Sequence, residues 1–515
     1  MSEETAASPA VTSRHVARGL GTTVLARLGA MVEIVATPLY VLMFGLHGYG
    51  LYSVLWAAVN LLEKIFDIGM TSAMQRTVPQ SATDADAAAA LRTAMLFGVG
   101  PCLAVAALIA FFAADLAPLL NVAAQDREVV VPAIRLFVWA LPLWAFVEIA
   151  TSAMRARMVF GAEIRLRIVW EQIMRLVFAG LFFAGGLGLK GLFIAHLCSL
   201  ALTAFLCIRL LARYYSFADL WRRPWGNNTA RDTFWSGLSI LPYNVIARLF
   251  GDAPALILNQ LLPGAAGAAA AGLFTIARKL SSVVQLVRIA FVYVLAPLAA
   301  SAERADRTQV ADIYAYAMRL IAAIALPLAA VLAAGSSSLL SLFGAQAHVA
   351  QPALIILLFA RALEAVLGIS QPVLQAVAAF RQQVTASLFG VIVAIAAGWL
   401  IVGHMDALTG VTLAMSIGLV VMAGVPMIQL AASENLHPFD SRFPAVALRG
   451  TAITAAAGGA ALLAARLPDP LALPLIALIA AASVWTALRF ALPLADRVSL
   501  GGTGRRLRLF ESDMP

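Results

Sequence analysis

The feature that most constrains this chain is the spacing of its charges. Apolar stretches long enough to cross a bilayer recur from residue 20 to residue 491, separated by short clusters of Arg, Asp, Gly and Pro. About 20 apolar residues in helical form span the ~30 Å hydrocarbon core of a membrane. Only helices and closed barrels satisfy their own backbone polar groups there, and continuous runs without period-two alternation select helices. The pattern places spans at 20–45, 50–73, 91–114, 131–153, 168–187, 192–212, 236–262, 270–298, 314–334, 350–372, 384–402, 410–431, 447–465 and 471–491. Those spans leave little of the 515 residues for a soluble domain, and a charged fraction of 12% is about half that of a soluble protein. Soluble enzymes and DNA-binding proteins are excluded, and the expected fold is an all-α integral membrane protein with fourteen transmembrane helices.

Basic residues fix the expected topology. With the N-terminus in the cytoplasm, segments on that side hold 21 of the 36 Lys and Arg, the other side holds three (Arg127, Lys190 and Arg466), and twelve lie within spans. Cytoplasmic loops retain positive charge, so both termini are expected in the cytoplasm of an inner-membrane protein, and the +9 net charge reflects topology rather than nucleic-acid binding. The first apolar run has no cleavage site and reads as a retained span. The basic tail with Arg505, Arg506 and Arg508 is expected to lie on anionic membrane lipids. Cys102, Cys198 and Cys207 fall in apolar runs with no C-x-x-C spacing and read as small core residues.

Four short matches recur in one order. Val24-Leu-Ala-Arg27-Leu28 resembles Val245-Ile-Ala-Arg248-Leu249, and Gly50-Leu-Tyr-Ser53 resembles Gly272-Leu-Phe-Thr275. Ala94-Met95 recurs as Ala317-Met318, and Pro132-Ala-Ile as Pro352-Ala-Leu, all at offsets of 220–223 residues. Six helices separate the copies, and an even number preserves orientation. Parallel six-helix lobes related by an axis along the membrane normal follow, with a cavity between them. The expected organisation is an N-terminal tail (1–19), an N-lobe (20–212), a linker (213–233), a C-lobe (234–431), an accessory helix pair (432–494) and a basic C-terminal tail (495–515).

None of the three lysines stands in a phosphate-cradling G-x-x-x-x-G-K-[ST] loop, and Gly186-Leu-Gly188-Leu-Lys-Gly191 joins two apolar helices and reads as a turn. The six histidines show no i,i+4 pairing, so no metal site and no cofactor is expected. The chemistry that remains is charge inside the membrane, where each ionisable group needs a partner, a wet cavity or a route to the interface. Arg135, Arg209, Arg319 and Arg489 lie near span ends and read as snorkelling to headgroups. Arg27, Lys64, Arg248, Arg278, Lys279 and Arg361 sit deeper, with Arg175 and Arg288 intermediate. Local spacing pairs Lys64 with Asp67, Arg248 with Asp252, Glu171 with Arg175, and Arg361 with Glu364. Those pairs read equally as structural neutralisation or as functional sites. Twelve bases face seven acids in the spans, and the helix holding Arg278, Lys279 and Arg288 has no acid of its own. Guanidinium groups match phosphate oxygens bidentately, so the anion path is read as Arg27, Lys64, Arg248, Arg278, Lys279, Arg288 and Arg361. Glu33, Asp252 and Glu364 are candidates for coupling to H+ or Na+. Gly251 and Pro254 beside Asp252 suggest a broken, gating segment in span seven.

The passage from Gly48-Tyr-Gly50 through Asp67-Ile-Gly69-Met-Thr-Ser-Ala73-Met-Gln-Arg76 resembles polysaccharide flippases of the multidrug, oligosaccharidyl-lipid and polysaccharide (MOP) exporter superfamily, Wzx-type O-antigen translocases among them. Asp67, Gly69 and Arg76 are the motif positions, with Gly69 and Arg76 read as structural or topological. The resemblance implies a monomeric, ion-coupled secondary transporter without enzymatic activity. Its cargo would be an undecaprenyl-diphosphate-linked oligosaccharide, carried outward by alternating access and handed to polysaccharide polymerase and export machinery. A drug or metabolite antiporter, a lipid II flippase and a membrane-embedded polymerase or ligase stay open as alternatives.

Overall fold

The computed structural model describes residues 13–157, 159, 164–222, 228–303, 307–377 and 380–510. Among the described residues fourteen long helices follow one another, with no strand. They are α1 (13–44), α2 (46–66), α3 (Asp84–Phe111), α4 (Ala124–Ala156), α5 (164–184), α6 (Gly188–Tyr214) and α7 (Asn228–Leu261). The others are α8 (Ala265–Glu303), α9 (Arg307–Ala334), α10 (Gln351–Leu367, continued by Ser370–Val377), α11 (Phe380–Ile401), α12 (Ala407–Ser433), α13 (Phe443–Ala464) and α14 (Asp469–Ala491). Eleven helical stretches among the described residues are long and apolar enough to cross a membrane.

Glycine sets the reversals. Gly45 (φ 73°) separates α1 from α2, and Gly186 (φ 75°) with Gly188 (φ 54°) makes the α5–α6 turn expected there. At the end of α2 the chain passes through two left-handed residues, Ile68 (φ 51°) and Gly69 (φ 70°), and then forms the short helix Met70–Thr77. The second span, read as continuous to residue 73, therefore ends near Phe66. A left-handed residue with a Cβ costs ~1–2 kcal/mol, so the reversal at Ile68 is held by its surroundings.

The two lobes meet along α1 and α2 against α7 and α8. Gly50 and Gly272, equivalent positions in the sequence repeat, sit against one another. A Cβ on Gly272 would lie 3.1 Å from Gly50 Cα, and one on Gly50 would overlap the Ala268 carbonyl. Equivalent residues of a two-fold pair touch only near the axis, so the pseudo-two-fold passes between α2 and α8. Small residues at the crossing let the backbones approach this closely.

Span seven corrects one expectation. α7 runs as one helix from Asn228 to Leu261, with Pro242 and Pro254 inside it and no break at Gly251 or Pro254. A proline removes one backbone donor, a loss that neighbouring helices absorb in a packed bundle. Pro254 is buried, and a Cβ at Gly251 would meet only the Arg278 guanidinium at 3.5 Å.

α13 and α14 pack on α9 at the edge of the C-lobe. Arg319 of α9 does not snorkel. It is buried and reaches across to Asp496 through Nε at 2.7 Å and Nη2 at 2.9 Å, and to Asp440 through Nη1 at 2.6 Å. The basic tail is anchored as well: Leu509 is buried, Arg497 donates to its carbonyl at 3.0 Å, and Trp485 donates to the Leu507 carbonyl at 2.9 Å. Arg505, Arg506 and Arg508 remain exposed.

Candidate functional site

The deep charges gather into clusters that the helices bring together. In the C-lobe, Asp252 is buried on α7 and takes two partners: Arg248 one turn earlier (Nε–Oδ2 2.5 Å) and Arg278 of α8 (Nη1–Oδ1 3.3 Å). Glu364, buried on α10, is held the same way by Arg361 at 2.7 Å on its own helix and by Arg288 of α8 at 3.1 Å. Gln371 also accepts from Arg288 at 3.3 Å. Each cluster sets two guanidinium groups against one carboxylate, a surplus of one positive charge apiece.

The N-lobe reverses that balance. Lys64 on α2 lies 3.0 Å from Glu63 Oε2 and 3.9 Å from Asp67 Oδ2, one ammonium between two buried carboxylates. Nearby, Glu148 of α4 pairs with Arg167. Further along α2, Tyr52 joins a buried network: Arg175 pairs with Glu171 on α5 and donates to the Tyr52 hydroxyl at 3.2 Å, and that hydroxyl lies 3.0 Å from His196 Nδ1 on α6. Trp56 packs against the His196 ring, with centroids 4.3 Å apart.

An ion pair crosses between the lobes. Lys279 on α8 reaches Glu33 on α1 at 3.0 Å and donates to the Thr37 hydroxyl at 3.3 Å, with its ammonium 5.6 Å from the centre of the Tyr49 ring on α2. The helix of Arg278, Lys279 and Arg288 thus finds its acids on α7, α1 and α10. The apparent excess of bare cations in the spans is corrected accordingly: Lys64, Arg248, Arg278, Lys279, Arg288 and Arg361 each have a carboxylate within 4.0 Å. Arg27 stands on α1, and its side chain lies outside the described residues.

The lobes are sealed to either side of the Lys279–Glu33 pair. On the face away from the arginine-rich loops, Asn121 in the α3–α4 connection and buried Asn259 near the end of α7 bind each other reciprocally. The Asn121 backbone N–H donates to Asn259 Oδ1 at 3.1 Å, Asn259 Nδ2 to the Asn121 carbonyl at 2.7 Å, and Asn121 Nδ2 to the Asn259 carbonyl at 2.8 Å. On the arginine-rich face, Gly69 crosses Gly237 of α7 so tightly that a Cβ on Gly69 would overlap the Gly237 carbonyl. Asn244 of α7 donates to the Ser72 hydroxyl at 3.0 Å beside it. Gly69 thus sits within a close helix crossing, whereas Arg76 lies exposed beside it.

Sequence reasoning missed both seals and the Tyr52–His196 link. Asn259 and Gln260 stand out as amides at the end of an apolar span, which is a usable signal, but nothing local identifies Asn121 as the partner.

Residues 43–352 match the sequence profile of a family described as polysaccharide biosynthesis protein. No curated protein sequence matches. Among solved structures, the chain is similar to a lipid II flippase MurJ in an inward closed conformation, at a TM-score of 0.69 and 12% identity over 90% of this chain and 97% of that one. It is also similar to an inward-facing multidrug resistance MATE family transporter of the MOP superfamily (TM-score 0.64, 16% identity, 80% and 96% covered). A Vibrio cholerae MATE transporter, VcmN in the bent form, gives a TM-score of 0.58 at 13% identity over 83% and 98%. At these identities the likeness is one of fold.

Proposed function

Because the chain belongs to the polysaccharide biosynthesis protein family, we propose that it flips an undecaprenyl-diphosphate-linked oligosaccharide across the bacterial inner membrane by alternating access. In this reading the arginine-rich face is cytoplasmic, both termini lie there, and the monomer hands its cargo to polymerase and export machinery outside. The protein is a secondary transporter rather than an enzyme. The observation that carries the proposal is the pair of C-lobe clusters in which two arginines share one buried carboxylate. A buried cation surplus attracts an anion, and planar guanidinium donors fit the oxygens of a diphosphate.

Lys279 and Glu33 supply the coupling. A diphosphate that draws Lys279 away leaves Glu33 without its counter-charge, and an H+ or Na+ then compensates that carboxylate. Asp252 and Glu364 serve the same role in the C-lobe when their arginines turn to the substrate.

Depletion of the protein, followed by assay of surface glycan and of the sidedness of undecaprenyl-linked oligosaccharide, tests the reading. Lipid-linked units trapped on the cytoplasmic leaflet, with loss of surface glycan, are expected. Units accumulating on the outer leaflet would assign a polymerase or ligase instead, trapped lipid II a cell-wall flippase, and an unchanged glycan an antiporter. Arg248→Glu combined with Arg278→Glu should abolish translocation while the protein still reaches the membrane; normal export in that variant removes the cavity assignment.

A further inference from the structure

Between the short helix Met70–Thr77 and α7 lies a cavity of about 290 Å³, lined by Ser72, Ala73, Arg76, Ser236, Ser239 and Ile240. It sits on the arginine-rich face beside the Gly69–Gly237 crossing, and Ser72 in its wall accepts the Asn244 hydrogen bond. One wall belongs to the N-lobe and the other to the C-lobe.

Its chemistry is that of a donor set. Arg76 is exposed, and among the described residues it has no carboxylate within ion-pair distance, unlike Lys64, Arg248, Arg278, Lys279, Arg288 and Arg361 inside the bundle. Ser72 accepts from Asn244, which leaves its own O–H free to donate. Ser236 has no side-chain partner among the described residues, and Ser239 only returns its proton to the Ser236 carbonyl at 2.9 Å. Among the described residues no acid lines the cavity. Arg231 and Asp232, exposed one turn further out on α7, offset each other in charge. A guanidinium flanked by two hydroxyls free to donate, those of Ser72 and Ser236, suits phosphate oxygens, and the volume lies at the small end of ligand pockets, the size of a headgroup rather than of an oligosaccharide.

The geometry points to a phosphate- or diphosphate-binding vestibule here, in which Arg76, Ser72 and Ser236 capture the charged headgroup of the cargo before the lobes part. The inference rests on the flippase reading for the identity of the cargo, and on the cavity alone for the anion. Because its walls come from different lobes, an anion bound there must leave or move inward when the Gly69–Gly237 crossing opens.

The test uses the full chain in lipid nanodiscs, labelled with a photoreactive short-chain prenyl diphosphate and mapped by mass spectrometry, with inorganic pyrophosphate as competitor. Labelling within residues 70–77 or 236–240 is expected, reduced about tenfold or more in Arg76→Ala and less in Arg76→Lys, which keeps the charge and loses the fork. Ser236→Phe, which fills the cavity without removing the guanidinium, should reduce it as well. Competition by pyrophosphate at comparable concentration identifies a free-phosphate recogniser, and labelling that resists pyrophosphate identifies a lipid headgroup; either supports the site. Labelling confined to other segments, or unchanged in both Arg76→Ala and Ser236→Phe, overturns it. The assay involves no transport, so Arg76-dependent labelling in a protein that moves no glycan would leave the vestibule standing and refute the flippase reading.

Discussion

Replacing Asn259 by Ala should open the seal on the face away from the arginine-rich loops. The substitution deletes two cross-lobe hydrogen bonds, from the Asn121 N–H at 3.1 Å and to the Asn121 carbonyl at 2.7 Å, and leaves three others: Asn121 Nδ2 to the Asn259 carbonyl, the Gly264 N–H to Asn121 Oδ1 at 3.2 Å, and Gln260 to the Leu119 carbonyl. Net contributions of ~0.5–1.5 kcal/mol per bond give ~1–3 kcal/mol in favour of the sealed state. A further cost falls on the sealed state of the variant, because the Asn121 N–H then loses its acceptor in a half-buried site. Opening returns these groups to water, as unfolding does, so the difference shifts the equilibrium away from the sealed state and toward open conformations that remain folded. At 1.4 kcal/mol per factor of ten, the closed-to-open ratio should fall about 5- to 150-fold. Spin labels on the α3–α4 and α7–α8 connections, read by pulsed electron paramagnetic resonance in nanodiscs, report the separation directly. A second, longer distance should gain population in the variant while the protein stays folded. An unaltered distance distribution, or a loss of folding without any new distance, would refute the assignment of this amide pair as a seal.

Three further outcomes follow from the same geometry. Glu364→Gln leaves Arg288 and Arg361 without their shared counter-charge and should cost ~3–5 kcal/mol, read as a fall in melting temperature, whereas Arg361→Gln leaves Glu364 still held by Arg288 at 3.1 Å and should cost clearly less; equal losses would argue against a shared carboxylate. Gly69→Val adds left-handed strain of ~1–2 kcal/mol and a Cβ overlap with the Gly237 carbonyl, so cysteine accessibility on the arginine-rich face should rise, and unchanged accessibility would sink the close crossing. Arg319→Leu strands Asp496 and Asp440 and should loosen the terminal helices and tail, seen as early proteolysis beyond residue 432 with the two lobes intact; a tail as resistant as the parent's would refute the anchoring role.

Local regularities are legible in the amino-acid order itself. Fourteen apolar runs mark fourteen helices, because in a bilayer the backbone leaves few alternatives to a span of about 20 residues. The repeat is legible too, and its Gly50–Gly272 correspondence lies at the pseudo-axis. Charges three or four residues apart announce their pairing, since one helical turn is set by the backbone: Arg248 with Asp252, Arg361 with Glu364, Lys64 with Asp67 and Arg175 with Glu171 all meet. Proline is a poorer guide, as the unbroken α7 demonstrates, because whether a proline bends a span depends on the helices around it.

Partners from different helices are decided by packing alone. Lys279 and Glu33 stand in different lobes, far apart in sequence, and Arg278 and Arg288 have no acid on their own helix; only the meeting of α8 with α1, α7 and α10 completes their pairs. Arg319 reads as an interfacial arginine until the tail folds back with Asp496, and Arg76 as a topological marker until α7 brings two serines to face it. The amino-acid order encodes neighbours along one helix through a fixed turn of 3.6 residues. It carries no comparable ruler between helices, so the division into two cation-rich clusters in the C-lobe, a Lys64 shared by Glu63 and Asp67 at the end of α2, and a Lys279–Glu33 pair joining the lobes exists only once the bundle is assembled.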